Sequence, residues 1–180
     1  MTFEQQKARQ RYQNTVNNAQ GHFFENGIKA GCQMYEDSKR AKIEKTPEPF
    51  RVMKKHPDGT FTGRFTSLAQ PDFQGTLHGG RSICFEAKYT TTDRMKRSAL
   101  TEKQMETLDF HYSLEAVAAV CIGIKDKFYF IPWQVWRDMK QIYNRQYLLQ
   151  SDIEQYRVKF TGAVLFLDYV HTQRRINDNV

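Results

Sequence analysis

The stretch from Gln70 to Lys88 narrows the choice of fold more than any other part of this chain. Residues Ser82 to Thr90 alternate, with Ile83, Phe85, Ala87 and Tyr89 on one side and Ser82, Cys84, Glu86 and Lys88 on the other, the period of a half-buried strand. Just upstream, His78-Gly79-Gly80 supplies two glycines that accept positive φ, so a hairpin closed by a three-residue loop is expected. That loop sets Asp72 directly opposite Glu86. A two-residue Gly-Gly loop would slip the register by one and turn Asp72 to the wrong face.

Side chains directly opposed across a hairpin lie about 4.5 to 5.5 Å apart at Cβ, where two carboxylates repel unless a cation lies between them. Such a pair points to a divalent metal, and Mg2+ is the natural choice because it takes oxygen ligands from one or two carboxylates and keeps several waters. Lys88, about 6.6 Å further along the same strand face, is placed to hold a nucleophilic water or to steady charge on a phosphate. Alone, the three residues also describe a solvated strand face, and the rest of the chain decides between the two.

At 180 residues the chain suits one compact domain, with no linker or low-complexity tract dividing it. The start, Met-Thr-Phe-Glu-Gln-Gln-Lys, lacks the apolar core of a signal peptide. The longest strongly apolar run, Ala116 to Ile124, is far short of the ~20 residues that span a bilayer. A cytoplasmic protein with no membrane partner is expected. Cys32, Cys84 and Cys121 lack C-x-x-C spacing, which indicates neither a disulfide framework nor a zinc site. The net charge of +7 is unevenly placed. Lys39, Arg40, Lys42, Lys45, Arg51, Lys54, Lys55 and Arg64 face only Glu44, Glu48 and Asp58 within one short span, as suits a polyanion such as a phosphate backbone.

In chain order, residues 1–20 are polar and read as a mobile or marginally helical arm. A helical period then runs from His22 to about Ser38 through Phe24, Ile28, Cys32 and Tyr35, with Glu25 at the edge of the buried stripe. Ala41 to Lys45 reads as a short strand ended by Thr46-Pro47-Glu48-Pro49. Phe50 to Lys54 and Thr60 to Phe65 flank His56-Pro57-Asp58-Gly59, a turn signal, so a projecting basic hairpin is expected, with Arg51, Lys54, Lys55 and Arg64 directed to DNA. Thr91 to Ser98 reads as a polar connection whose Arg94, Lys96 and Arg97 would meet phosphates beside the site. Thr101-Glu102-Lys103-Gln104 fits a capping box opening a helix that buries Leu100, Met105, Leu108 and Tyr112. Ala116 to Ile124 reads as a strand buried on both sides, Phe128 to Ile131 as the next, Trp133 to Leu149 as a helix, Asp152 to Tyr156 as a helical turn, and Val164 to Leu167 as a last strand. The order gives an α/β fold with one mixed sheet flanked by helices.

With these pieces in place, Pro71-Asp72 followed at hairpin distance by Glu86-Ala87-Lys88 resembles the PD-(D/E)xK nuclease superfamily, and the chain as a whole resembles the RecU-type Holliday-junction resolvases, also described as penicillin-binding-protein-related factor A. The likeness runs from Phe24 to about Tyr169. It rests on Phe24-Glu25, Lys45-Thr46-Pro47-Glu48-Pro49, Asp72-Phe73-Gln74-Gly75, Phe85-Glu86-Ala87-Lys88, Gln104, Phe130-Ile131-Pro132-Trp133, Trp136 and Leu167-Asp168-Tyr169.

The resemblance implies an endonuclease-like α/β core, spanning residues 21–172 as a single nuclease domain with a stalk at about 50–70, between the arm at 1–20 and a polar tail at 173–180. It implies a homodimer that hydrolyses phosphodiesters at four-way DNA junctions by paired nicks with Mg2+ or Mn2+, in recombination and repair near the nucleoid. A recombinase or branch-migration protein is a candidate partner. Asp72 and Glu86 fall at metal ligands, the Ala87 carbonyl beside them, Lys88 at the catalytic lysine, Glu25 at the helix carboxylate and Gln104 at a glutamine after the catalytic strand. Where family members often carry Thr before the aspartate, this chain has Pro71, and its stalk sequence diverges. Two alternatives remain open: a nuclease of the same superfamily acting on another DNA structure, and a non-catalytic junction-binding or recombination-regulating protein.

Overall fold

The computed structural model describes residues 3–47, 49–65 and 70–169. A first helix, α1 (Phe3–Asp37), leads into strands β1 (Ala41–Lys45), β2 (Phe50–Lys55), β3 (Phe61–Phe65), β4 (Phe73–Leu77), β5 (Ser82–Thr90) and β6 (Arg94–Lys96). Helix α2 (Glu102–Ser113), strands β7 (Val117–Ile124) and β8 (Lys127–Pro132), short helices α3 (Trp133–Arg137) and α4 (Met139–Tyr143), and strands β9 (Tyr147–Leu149), β10 (Val158–Phe160) and β11 (Val164–Tyr169) complete the chain. Among the described residues no helix is long and apolar enough to cross a membrane.

The central sheet has the order β1-β4-β5-β7-β8. All its neighbours pair antiparallel except β5 and β7, which run parallel because α2 carries the chain back across one face between them. The sheet is therefore mixed, with helices on both sides, as the sequence order implies. On one face α1 lays Phe24, Ile28 and Tyr35 over Ile83, Phe85 and Phe130, and Phe166 of β11 closes the same layer. Phe85 is its hub: its ring lies 5.0 Å from Phe73, 5.3 Å from Phe130 and 4.9 Å from Phe166, centroid to centroid. Helix and β11 meet at Gly31, where an added Cβ would stand 2.2 Å from the Val164 carbonyl oxygen. On the other face Leu108, Val120, Ile122, Ile131, Trp133, Trp136, Met139 and Leu148 form a second layer under α2, α3 and α4.

Several elements differ from the sequence reading. The helix expected from His22 begins at Phe3, so the polar stretch read as an arm is, from that residue, the first half of α1. Strand β5 is covered on both faces through Ile83 to Glu86 and is not half-buried, because both layers close over it. The stretch Trp133 to Leu149 is not one helix: it is interrupted at Asp138, ends at Asn144 in the left-handed conformation, and continues as β9. Arg94 to Lys96 is not an irregular connection but β6, paired with β9, with Met95 and Leu148 facing inward. Strand β10 goes unread in the sequence. Strands β2 and β3 form the expected basic hairpin as a ribbon of their own outside the central sheet. The polar tail after His171 and part of the stalk, residues 66–69, lie outside the described residues.

Candidate active site

The β4–β5 hairpin has the register that its three-residue loop demands. Phe73 pairs with Phe85, Gln74 with Cys84, Gly75 with Ile83 and Thr76 with Ser82, and Leu77 N–H donates to the Arg81 carbonyl across His78-Gly79-Gly80. Gly79 and Gly80 take φ of 88° and 90°, values open to glycine. Asp72 therefore stands one residue beyond the last ladder pair, opposite Glu86. Its Oδ2 accepts the Ala87 N–H at 2.9 Å, so the side chain continues the ladder where the β4 backbone stops. Two bonds from Thr46 at the end of β1 hold the backbone here: its Oγ1 donates to the Pro71 carbonyl at 2.6 Å and its N–H to the Asp72 carbonyl at 2.9 Å.

Among the described residues Glu86 is the one charged residue in the core, with 1% of its surface exposed. Its Oε2 accepts Gln104 Nε2 at 2.5 Å and Lys88 Nζ at 3.2 Å. Lys88 Nζ is also 3.8 Å from Asp72 Oδ2, so one ammonium serves two carboxylates. Burial first, and then the charge of Asp72, push the Glu86 pKa up to about 7, against the pull of Lys88. A buried Glu86 beside a partly exposed Asp72, with one cation between them, is short of positive charge, and the acid groups offer only oxygen. That is the donor chemistry of a site for Mg2+ or Mn2+.

Of the residues singled out in the sequence, Asp72, Glu86, Lys88 and Gln104 come together, with Ala87 between the two β5 groups. Glu25 does not join them. It sits on α1, which packs on the opposite face of the sheet, and its Oε1 lies 2.7 Å from Lys45 Nζ and 2.9 Å from Lys29 Nζ. Burial raises the Glu25 pKa, but the two lysines outweigh it and the net shift is downward. No group of three or more acidic, His or Cys side chains poised for a metal occurs among the described residues.

Gln104 closes the capping box at the start of α2, as its spacing implies, and its amide also donates to Glu86. Lys45, Thr46 and Thr101 were not singled out for the site. A signal for them exists in hindsight: each stands at an element boundary, where side chains are free to bond a neighbouring strand end or helix end.

The basic residues form two surfaces. Arg51, Lys54, Lys55 and Arg64 are exposed on the β2–β3 ribbon, and Arg51 lies directly opposite Arg64, a like-charge pair that an anion would relieve. Arg94 and Lys96 are exposed on β6, and Arg97 follows half-buried in a 3-10 turn. At the far end of β5 a cavity of about 960 Å3 opens beside Arg81, Ser82, Tyr112 and Leu114. Glu115 is the one carboxylate in its lining.

A family model for Recombination protein U, RecU, matches residues 19–175. The chain belongs to the RecU family. This places it among Holliday-junction resolvases, as the motifs from Phe24 to Tyr169 imply. Among solved structures, the chain is similar to one described as Archaeoglobus fulgidus Hjc, a Holliday junction resolvase from an archaeal hyperthermophile. The identity is 16% and the TM-score 0.37, over 62% of this chain and 76% of that one. No curated protein matches the chain.

Proposed function

We propose that this RecU-family chain is a Mg2+- or Mn2+-dependent endodeoxyribonuclease that resolves four-way DNA junctions by paired, symmetric nicks. The observation that carries the reading is the pairing of Asp72 with the buried Glu86 in the hairpin register, with Lys88 reaching both. Asp72 and Glu86 would hold the metal, with the Ala87 carbonyl beside them. When bound, such an ion supplies Lewis-acid charge at the scissile phosphate and lowers the pKa of a water. Lys88 orients the attacking water or offsets charge developing on the phosphate. Gln104 fixes one Glu86 oxygen, so that the carboxylate presents a single face. Glu25, in this reading, contributes through the lysines it holds and not as a ligand.

Arg51, Lys54, Lys55 and Arg64 on the ribbon, and Arg94, Lys96 and Arg97 beside the site, would grip the DNA backbone, contributing affinity and register with little base readout. Two copies related by a two-fold axis would present two such sites to opposed strands of a junction. A cytoplasmic, nucleoid-associated setting with a recombinase or branch-migration partner follows from the same reading.

The test is cleavage of a labelled four-way junction beside a linear duplex of equal length, with Mg2+, Mn2+ or EDTA. Symmetric nicks confined to the junction and abolished by EDTA are expected, and Asp72→Asn should lower the rate by about 10²-fold or more. Equal cutting of the duplex would assign the chain to another nuclease activity. Tight junction binding without cutting in either metal would make it a binding protein.

A further inference from the structure

The amide of Gln104 has two ends, and the structure fixes which end faces Glu86. Thr101 is the N-cap of α2, and its backbone N–H stands 3.0 Å from Gln104 Oε1. A backbone N–H can only donate, so the amide atom facing it must be the oxygen. The Thr101 hydroxyl donates to the same oxygen at 3.2 Å and accepts the Gln104 backbone N–H at 3.3 Å. With its oxygen taken twice by Thr101, Gln104 has its NH2 left to point into the site, where it donates to Glu86 Oε2 at 2.5 Å. The reversed amide would set its NH2 against the Thr101 N–H, donor against donor, and its oxygen against Glu86 Oε2, acceptor against acceptor.

We propose that Thr101 is a positioning residue for the catalytic carboxylate: by holding the Gln104 amide in one orientation, it keeps Glu86 in the rotamer that serves the metal. The proposal rests on the nuclease reading for its consequence but on hydrogen-bond geometry for its premise. It makes the N-cap of α2, an exposed residue, part of the site.

A cap that only stabilises the helix and a cap that orients the amide respond differently to Thr101→Asp. Asp is at least as good an N-cap as Thr, since its carboxylate accepts the Gln104 N–H equally well. It has no hydroxyl proton to give to Gln104 Oε1, and its negative charge draws the NH2 end away from Glu86. Thr101→Ser keeps both donors.

The expected result is that Thr101→Ser cleaves junctions within about threefold of wild type, whereas Thr101→Asp melts no lower and loses about 10- to 100-fold in cleavage rate with junction binding retained. In a Gln104→Ala background the Thr101→Asp loss should vanish, because the effect runs through that amide. A second readout is independent of activity: the Gln104 side-chain NH2 resonances in metal-free protein, displaced by the bond to Glu86, should return toward free-amide positions in Thr101→Asp and stay in Thr101→Ser. Should Thr101→Asp not fold, Thr101→Ala carries the test, with an expected loss of about threefold or more that again requires Gln104.

Unmoved amide resonances, or an equal loss with and without Gln104, would overturn the proposal. If the wild-type chain cuts no DNA, the nuclease reading fails, and the amide resonances alone still decide whether Thr101 orients Gln104.

Discussion

At Glu86, burial and the Asp72 charge both favour the neutral acid, and the group titrates at about 7 instead of its ordinary 4.5. Between those two values the folded protein holds a proton that the unfolded chain has released, so stability falls as pH rises through that window. The contribution is full below the unfolded pKa and gone above the folded one. Metal-free protein should therefore melt at lower temperature at about pH 8 than at about pH 5, and Glu86→Gln should flatten that dependence; calorimetric scans across the range measure both. A steeper fall in the variant would contradict the charge assignment. At Glu25 the expected outcome is milder. Its carboxylate is held by two lysines on the other face of the sheet, so Glu25→Gln should cost about tenfold or less in cleavage, against the larger loss for Asp72→Asn. Equal losses would make Glu25 a ligand after all.

Among the elements, β1 and β4 leave no room for a side chain at Gly75, where an added Cβ would stand 2.0 Å from the Lys42 carbonyl oxygen and 2.6 Å from Ile43 Cα. Backbone cannot give way there as a side-chain end can. Gly75→Ala should push β1 outward, loosen the two Thr46 bonds to residues 71 and 72, and cost on the order of 1–3 kcal/mol in denaturant unfolding, with cleavage falling too. Retained activity at lowered stability would separate β1 from the site. The hairpin itself was legible because the Gly-Gly loop and the alternation of β5 agree, and they put Asp72 opposite Glu86 without any tertiary information. Other elements were hidden for identifiable reasons. The first half of α1 carries no apolar stripe to announce it. Strands β6 and β9 have three residues each, too few for a visible period, and each is a strand only because the other is there. Helical spacing through Val135, Trp136 and Met139 continues past Asp138, where the backbone turns away, because both short helices bury aromatic and apolar residues in the same layer.

For the whole molecule, the basic ribbon β2–β3 stands outside the sheet that holds both cores, so its contribution to folding and to DNA recognition should be separable. Replacing Phe50–Phe65 with a short Gly-Ser link should leave the melting temperature within a few degrees while junction-over-duplex preference drops, read by competition binding at fixed salt. A collapse of the fold would show that the ribbon is structural. The mixed-sheet class and the basic bias were readable from order and charge. The placement of Glu25 was not, because the face of the sheet on which a helix packs is set by the connection and not by the helix's own spacing.

The parallel pairing of β5 with β7 has a consequence for how the protein is made. Every side chain of the site, from Asp72 to Gln104, leaves the ribosome before Val117 to Ile124 do. Glu86 lies beside Val120 of β7, and it cannot leave water until that strand docks. A nascent chain paused ahead of β7 thus carries every residue of the candidate site and no closed site, so on the proposed reading the capacity to cut DNA arrives only when the middle of the sheet is complete.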